Sequence, residues 1–339
     1  MKTTIAPLLF LAAGLPLAAL SDPFPFEASV ARWQGDAKGC VSFYYDDGLQ
    51  SHFDFAIPAH EKYGIPGTFY ICFGWFENNP AMTEKWRAAA KSPLVVLGNH
   101  TYNHGGVTNV AQFAEELSRN DVFVRELDGL DENALVSFAL PGAVAWTITP
   151  EEQNTTLDRF HSVLRHDFDP NICGAGQGVF VINRCELAVK MVLDRAESEG
   201  SWQSMLCHGV GGDWLTLPAA EHAKILREAA IRRDQGRLWL ASTIAAHKYE
   251  TERNGATLTK PEEQDGAVCF TLATKTDAKS YDEPLTVVLT VPAEWKSVRC
   301  AYAPDGGTRS EFCAPVLDGR VLLDLVPAPS AEIRVSKVQ

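Results

Sequence analysis

The chain lacks several things, and each lack narrows what it can be. Past residue 20 no stretch is long and apolar enough to span a bilayer, which takes about 20 such residues. Basic residues are in deficit: 30 Lys and Arg against 43 Asp and Glu leave a formal charge of −13. That balance argues against a nucleic-acid partner and against polybasic attachment to anionic lipid. No two cysteines form a Cys-x-x-Cys pair, so a zinc site built on cysteine is not expected. There is no internal repeat and no low-complexity tract.

What is present begins with a leader. Lys2, the apolar run from Ile5 to Leu20 and the small residues Ala18, Ala19 and Ser21 read as a secretory signal peptide cut after Ser21. The run is short and broken by Gly14 and Pro16, which disfavours an uncleaved anchor and stable membrane insertion. The expected location is extracellular, or periplasmic in a bacterium. Eight cysteines make disulfides possible in an exported chain. Cys300 and Cys313 flank a Pro-Asp-Gly-Gly turn, and Cys173 and Cys185 flank a Gly-rich loop, so these are the two local candidate pairs. Cys40, Cys72 and Cys207 sit in apolar runs and read as buried thiols.

With 339 residues the chain has room for one large domain and a smaller one. Asp22 to Lys38 reads as an irregular arm. Expected strands are 40–45, 68–73, 94–97, 135–139, 179–182, 203–207 and 237–241, with helices over 113–127, 186–199 and 219–234. Near-continuous apolar strands alternating with helices indicate a parallel sheet covered on both faces, closed as a barrel or left open. From about Ala256 short runs between Asp-Gly and Pro turns indicate a small antiparallel, sandwich-like β-domain, with 250–266 as connector. The expected division is therefore a leader over 1–21, an α/β domain over 22–254 and a β-domain over 255–339.

Polar residues of interest fall just past the expected strand ends, where parallel α/β folds bind ligands. Asp46, Asp47 and Gly48 follow the first strand, His100 and His104 the third, Pro141 and Gly142 the fourth, and His208 the sixth. One Asp and two His four residues apart make a three-ligand set with open positions for water and substrate, if the His segment coils into a helical turn. The second Asp is then free to act as a base. Trp214, soon after His208, could line a sugar site, since aromatic faces stack on pyranose rings. His52, His60, His222 and His247 lie in helix-like segments and read as surface or boundary residues, and Trp75 reads as core. Asn99 and Asn154 both fit the glycosylation pattern, with Asn154 the one expected to be used.

These residues resemble the polysaccharide deacetylase family, carbohydrate esterase family four. Tyr44-Tyr45-Asp46-Asp47-Gly48 is similar to its first block, Gly98-Asn99-His100-Thr101-Tyr102-Asn103-His104 to its second, and Leu206-Cys207-His208-Gly209 to its fifth. The likeness spans about residues 38 to 250 and implies a distorted (β/α) barrel of about seven parallel strands. It implies that Asp47, His100 and His104 hold a divalent metal, zinc above all, with cobalt or nickel as alternatives. It implies Asp46 as general base, His208 as general acid, and Gly142 and Leu206 at the substrate and oxyanion, beside which Trp214 is the aromatic candidate. The implied partner is an acetylated carbohydrate, and no protein partner is indicated.

Two blocks depart from the family pattern. The third usually carries an Arg that holds the base, and here Ala139 stands at that place, so Asp46 lacks its cation unless Arg165 or Arg184 replaces it. The fourth normally gives an Asp that orients the acid His, and Asp167 and Asp169 in His166-Asp167-Phe168-Asp169-Pro170 are both candidates. The missing Arg leaves open a related amidohydrolase of a non-carbohydrate C–N bond, and a carbohydrate-binding protein without turnover is the third reading.

Overall fold

A computed structural model describes residues 24–165, 171–173 (backbone only), 182–303, 309–328 and 331–338. The expected leader, the strand over 179–181, the turn at 304–307 and the candidates Asp167 and Asp169 lie outside the described residues.

After β1 (Glu27–Val30) come β2 (Gly39–Tyr45), β3 (Gly67–Ile71), β4 (Val95–Asn99) and β5 (Val136–Phe138). β6 (Ser162–Leu164), β7 (Asn171–Cys173), β8 (Trp202–Cys207) and β9 (Leu238–Leu240) complete the first part. β2 to β9 form one parallel sheet in the order β6-β5-β4-β3-β2-β8-β7. β9 pairs with the lower end of β2, where Cys40 faces Trp239, while β3 pairs with its upper end, where Tyr45 faces Phe69. The fold is thus a distorted half-barrel of parallel strands, as the resemblance implies. The strands β6 and β7 are too short to stand out by periodicity.

The expected helices over 113–127, 186–199 and 219–234 are present, the second of them in pieces, and among the described residues four more lie between the strands. They are α1 (Ile57–Tyr63), α2 (Pro80–Ala89), α3 (Val110–Asp128), α4 (Pro150–Arg159), α5 (Cys185–Ala188), α6 (Asp194–Glu199), α7 (Ala219–Asp234) and α8 (Thr243–Gly255). Asn109 caps α3 through Gln112, and Gly129, left-handed at φ 65°, ends it. The outer face of β2 buries Val41, Phe43 and Tyr45 under α7 residues Ile225, Leu226 and Ala229. Its inner face is polar instead. Trp202 Nε1–H donates to Ser42 Oγ (2.9 Å), and the Tyr70 hydroxyl meets Ser137 Oγ (2.7 Å) and Thr243 Oγ1 (3.1 Å). Among the described residues no helix is long and apolar enough to cross a membrane.

The C-terminal strands are antiparallel: β10 (Thr257–Leu258), β11 (Glu262–Gln264), β12 (Ala267–Ala273), β13 (Leu285–Thr290), β14 (Ser297–Tyr302), β15 (Ser310–Pro315), β16 (Arg320–Leu325) and β17 (Glu332–Lys337). They make two sheets, β1-β13-β16 and β10-β12-β17-β14-β15, with β11 on β12. The arm expected to be irregular supplies β1, and the expected connector contains the end of α8 and two short strands. The core of this part also takes in Trp33, Cys40, Trp202 and Tyr249. Cys40 and Trp202 lie at the N-terminal ends of β2 and β8, so the sandwich seals the end of the half-barrel opposite to Asp46 and His208. The Cys300–Cys313 pair is not formed. Cys300 stands opposite Phe312 and Cys313 opposite Arg299, so the one-residue offset puts a buried and an exposed thiol on opposite faces. Cys185 is likewise free, and the Cys173 side chain lies outside the described residues.

At the seam of the two parts, Glu252 of α8 is wholly buried and accepts from the Glu283 backbone N–H (3.0 Å), while its second oxygen has no hydrogen-bond partner. Burial pushes both carboxyls up to about 7 from an ordinary 4.5, Lys248 opposing at each. Between those two pH values the folded chain holds protons that the unfolded chain has released, so stability falls as pH rises from about 4.5 to about 7. Glu252→Gln is expected to flatten that fall and raise the melting temperature at pH 8. Thermal melts across the range check this, and an unchanged slope refutes it.

Candidate functional site

Asp46 and Asp47 leave the top of β2 and turn at once. Asp47 itself is left-handed (φ 80°), and so is Gly48 (φ 66°), where a Cβ would press on Ile71 Cγ2 at 3.3 Å. Both carboxylates are buried, at 3% and 4% exposure. Adjacent buried anions need compensation, and the two find it differently.

Asp46 is held by an arginine. Arg165 Nη1 donates to both of its oxygens, at 2.9 and 3.0 Å. Arg165 directly follows β6, and the β5–β6 register, which sets Phe138 beside Leu164, puts it next to Ala139. The guanidinium absent from position 139 is therefore supplied one strand away at the same level. Ala139 is fully buried with Tyr44, Tyr70 and Leu206, and the Arg165 guanidinium lies 5.9 and 5.4 Å from the two tyrosine rings. Arg184 is not the partner among the described contacts of Asp46.

Asp47 faces the imidazoles. Its Oδ1 lies 3.5 Å from His100 Nε2 and 3.6 Å from His104 Nε2, and it is buried without a hydrogen-bond partner. Its Oδ2 accepts from the Trp214 indole N–H at 2.8 Å and lies 4.0 Å from His208 Nε2. Burial alone would raise this carboxyl, but His100, then His208 and the indole, outweigh it and hold it down at about 2. His100 Nδ1 donates to the Ala139 carbonyl (2.9 Å), which turns Nε2 towards the acids and fixes it as a lone-pair donor. A buried bare carboxylate oxygen with two imidazole nitrogens converging on it fits a divalent cation. Cys72 joins Asp47 and His100 in a group whose ligand atoms lie within 4.8 Å. Its thiol, however, donates to the His100 carbonyl (3.2 Å), and burial, helped by Asp47 and Asp46, pushes its pKa well up, so it stays protonated.

The His pair does not sit on a helical turn. Residues 100–104 form a loop in which Thr101 and His104 are left-handed (φ 62° and 53°), and the two rings meet edge to face at 4.9 Å. Side chains shape that loop. Asn99 Oδ1 accepts from Thr101 N–H (2.9 Å), and Thr101 Oγ1 accepts from His104 N–H (3.1 Å). Asn99 is wholly buried and also bonds the Leu117 carbonyl, so it is structural, while Asn154 is exposed on α4. Non-glycine residues at positive φ are uncommon, and Asp47, Thr101 and His104 bring three of them to this site.

His208 follows β8, with Nδ1 buried and without a hydrogen-bond partner among the described residues. Leu206 is in the site's floor, level with Tyr44 on β2. Gly142 lies on an exposed bend with open space beside it. Three histidines expected near the surface are instead buried: His52, His60 and His222. His60 is on α1, His222 on α7 and His52 on the helical segment His52–Ala56 that runs into α1, and Tyr45 Oη bridges His60 and His222 at 2.6 Å each. His52 accepts from Leu49 N–H (3.2 Å) and donates to the His208 carbonyl (2.8 Å), tying the loop after Asp47 to the strand end of His208. Burial brings its pKa down to about 4, which keeps it neutral. Trp75, expected in the core, is 47% exposed and stands 5.3 Å from His104 and 6.0 Å from Trp214.

Two of the missed contributors differ in how visible they were. Asn120 accepts from Phe73 N–H (2.8 Å) and donates to the Ile71 carbonyl (2.7 Å), bracing the end of β3. It occupies the apolar stripe Phe113, Leu117, Asn120, Val124, and a polar residue in such a stripe is a readable signal. His52 has no such signature.

A parallel half-barrel with an acid pair, two imidazoles and a further His at the C-terminal ends of its strands defines a carboxylate–imidazole site. Residues 34–154 match the family described as "Polysaccharide deacetylase", the family that the motifs resemble. That segment contains Asp46, Asp47, His100 and His104, and stops before Arg165 and His208. A family 4 carbohydrate esterase from Streptomyces lividans is 18% identical, covers 60% of this chain and 91% of its own, and has a TM-score of 0.39. Peptidoglycan deacetylase PdaC from Bacillus subtilis is 15% identical over 60% and 87%, at 0.39. BA3943 from Bacillus anthracis, described as a family pseudoenzyme, is 12% identical over 60% and 64%, at 0.37. Structural likenesses of that size carry no functional argument. A gellan lyase from a Bacillus species is 22% identical over 336 residues, 89% of this chain, and the chain spans 13% of that relative's length.

Proposed function

We propose that this chain is a metal-dependent hydrolase that removes N- or O-acetyl groups from an acetylated poly- or oligosaccharide. The observation that carries the reading is the bare Asp47 oxygen 3.5 and 3.6 Å from two imidazole nitrogens, beside a second acid gripped by Arg165. The family segment over residues 34–154 supports it. Asp47, His100 and His104 would hold the cation, with zinc the ion best suited to one carboxylate and two imidazoles, and cobalt or nickel able to replace it. Bound there, it would supply Lewis acidity to the acetyl carbonyl.

The chain's own residues do the rest. Asp46 takes the proton from the attacking water, and Arg165, bonded to both of its oxygens, holds it in place for that task. The water oxygen bonds to the acetyl carbon, the Gly142 N–H donates to the oxyanion, and the bond to nitrogen or oxygen breaks. His208 gives its proton to the leaving amine or alkoxide, so the products are acetate and a free amine or hydroxyl. Asp167 and Asp169 are the candidates to orient His208, whose Nδ1 awaits an acceptor. The exposed Trp75 and Trp214 stand where a sugar ring would lie. The leader fits an enzyme that meets its polymer outside the cytoplasm. Arg165 supplies to Asp46 the guanidinium that position 139 lacks, which favours the deacetylase over an amidohydrolase of a non-carbohydrate C–N bond.

The test is release of acetate from acetylated chito-oligosaccharide and acetylated xylan by the purified chain. Release lost on adding a chelator and regained with zinc is expected. No acetate from either glycan overturns the proposal.

A further inference from the structure

Trp214 does more than offer a surface. Its position is built from several directions. Gly209 N–H donates to the Trp214 carbonyl (3.0 Å), Leu217 N–H to the Gly209 carbonyl (2.9 Å) and Gly211 N–H to the Leu217 carbonyl (2.8 Å). A Cβ on Gly209 would fall 2.0 Å from the Gly212 carbonyl oxygen, so the loop closes this tightly only with glycine there. Asp213 and Leu215, on either side of Trp214, are both left-handed (φ 59° and 45°), and Asp213 Oδ2 accepts from Ser51 N–H (2.8 Å). A strained conformation held by surrounding bonds persists where it places something. What this one places is the indole N–H, 2.8 Å from Asp47 Oδ2.

That bond divides the two oxygens of Asp47. Oδ2 has a donor, while Oδ1 is buried, has none and faces His100 and His104. A carboxylate free to rotate would present either oxygen, or both. We infer that Trp214 is a positioning residue for the cation ligand Asp47: its N–H restrains Oδ2, presents Oδ1 to the two imidazoles, and so sets the metal affinity of the site. The inference rests on the reading of Asp47, His100 and His104 as the ligand set. It adds a regulatory consequence, because the indole is 48% exposed. A sugar ring seated on its face touches the same side chain that orients the ligand.

The experiment is zinc binding by the apo full-length chain, measured by calorimetry and by tryptophan emission. Trp214→Phe keeps an aromatic face and loses the donor, and its zinc affinity is expected to fall about 10- to 100-fold, the range typical of such outer partners. Trp214→Gln restores an amide donor without the ring and is expected to bind zinc more tightly than the Phe variant. Trp75→Phe is expected to match wild type in affinity and to keep the emission change on zinc addition, which Trp214→Phe loses. Thermal melts of the apo variants confirm that each is folded, which the exposure of Trp214 favours. Zinc affinity unchanged in Trp214→Phe overturns the inference and leaves the ligand set intact. A wild-type chain that takes no zinc, or zinc binding unaltered in His104→Ala, overturns both.

Discussion

Arg165→Ala is expected to lower stability by about 3–5 kcal/mol, the cost of leaving one partner of a buried ion pair uncompensated. The pair qualifies because the Arg165 and Asp46 side chains are 11% and 4% exposed and meet at 2.9 Å. A loss of catalysis should accompany it. With Arg165 gone, the Asp46 carboxylate is no longer held at both of its oxygens and is free to turn away from the water it must meet. Acetate release should fall by about 10²-fold or more, since a misplaced base forfeits much of its contribution. The decisive control is the double variant Ala139→Arg with Arg165→Ala. It returns the guanidinium to the neighbouring strand at the same register level, beside the same tyrosine rings. Recovery of acetate release in the double variant would show that the guanidinium serves at either address. A single variant as stable as wild type, with undiminished acetate release, would mean that Asp46 does not depend on Arg165.

The two acids should separate cleanly in the next comparison. Asp46→Asn is expected to retain zinc binding and lose about 10²- to 10⁴-fold in acetate release, the range for removing a general base. It should also lose stability, because Arg165 is then the buried charge without a partner. Asp47→Asn is expected to lose zinc and activity together, since a neutral amide replaces the anionic ligand at the centre of the imidazole pair. Metal content of the purified variants, read beside initial rates, distinguishes them. Equal metal loss in both would erase the division of labour between the neighbours.

Much of this site could be read before folding was considered. Asp46 and Asp47 end an apolar run that is a strand, and His100 and His104 follow another, so their arrival at one end of a parallel sheet follows from local pattern. The helix over 219–234 was legible to its ends, because an apolar stripe and a change of composition bound it. Three readings went astray for a shared reason. His52, His60 and His222 sit in polar-looking helical segments, yet each lies on the side that meets the sheet, and their burial depends on Tyr45 and on neighbours far along the chain. The helical turn expected at His100 gave way to a loop because Asn99 and Thr101 bond its backbone in place of helix carbonyls.

The sequence by itself determined the chemistry available: which strands end in carboxylates and imidazoles, in what order, and that the usual arginine is missing at 139. Only the tertiary structure decided how that gap is filled, because Arg165 lies 119 residues from Asp46 and reaches it through the register of two short strands. Likewise the hold of Trp214 on Asp47 spans 167 residues, and the C-terminal sandwich shares a core with the far end of the half-barrel. Periodicity and local motifs record what a segment buries against its own sheet. They do not record which distant side chain will stand opposite it, and that pairing is what fixes the charge balance of this site.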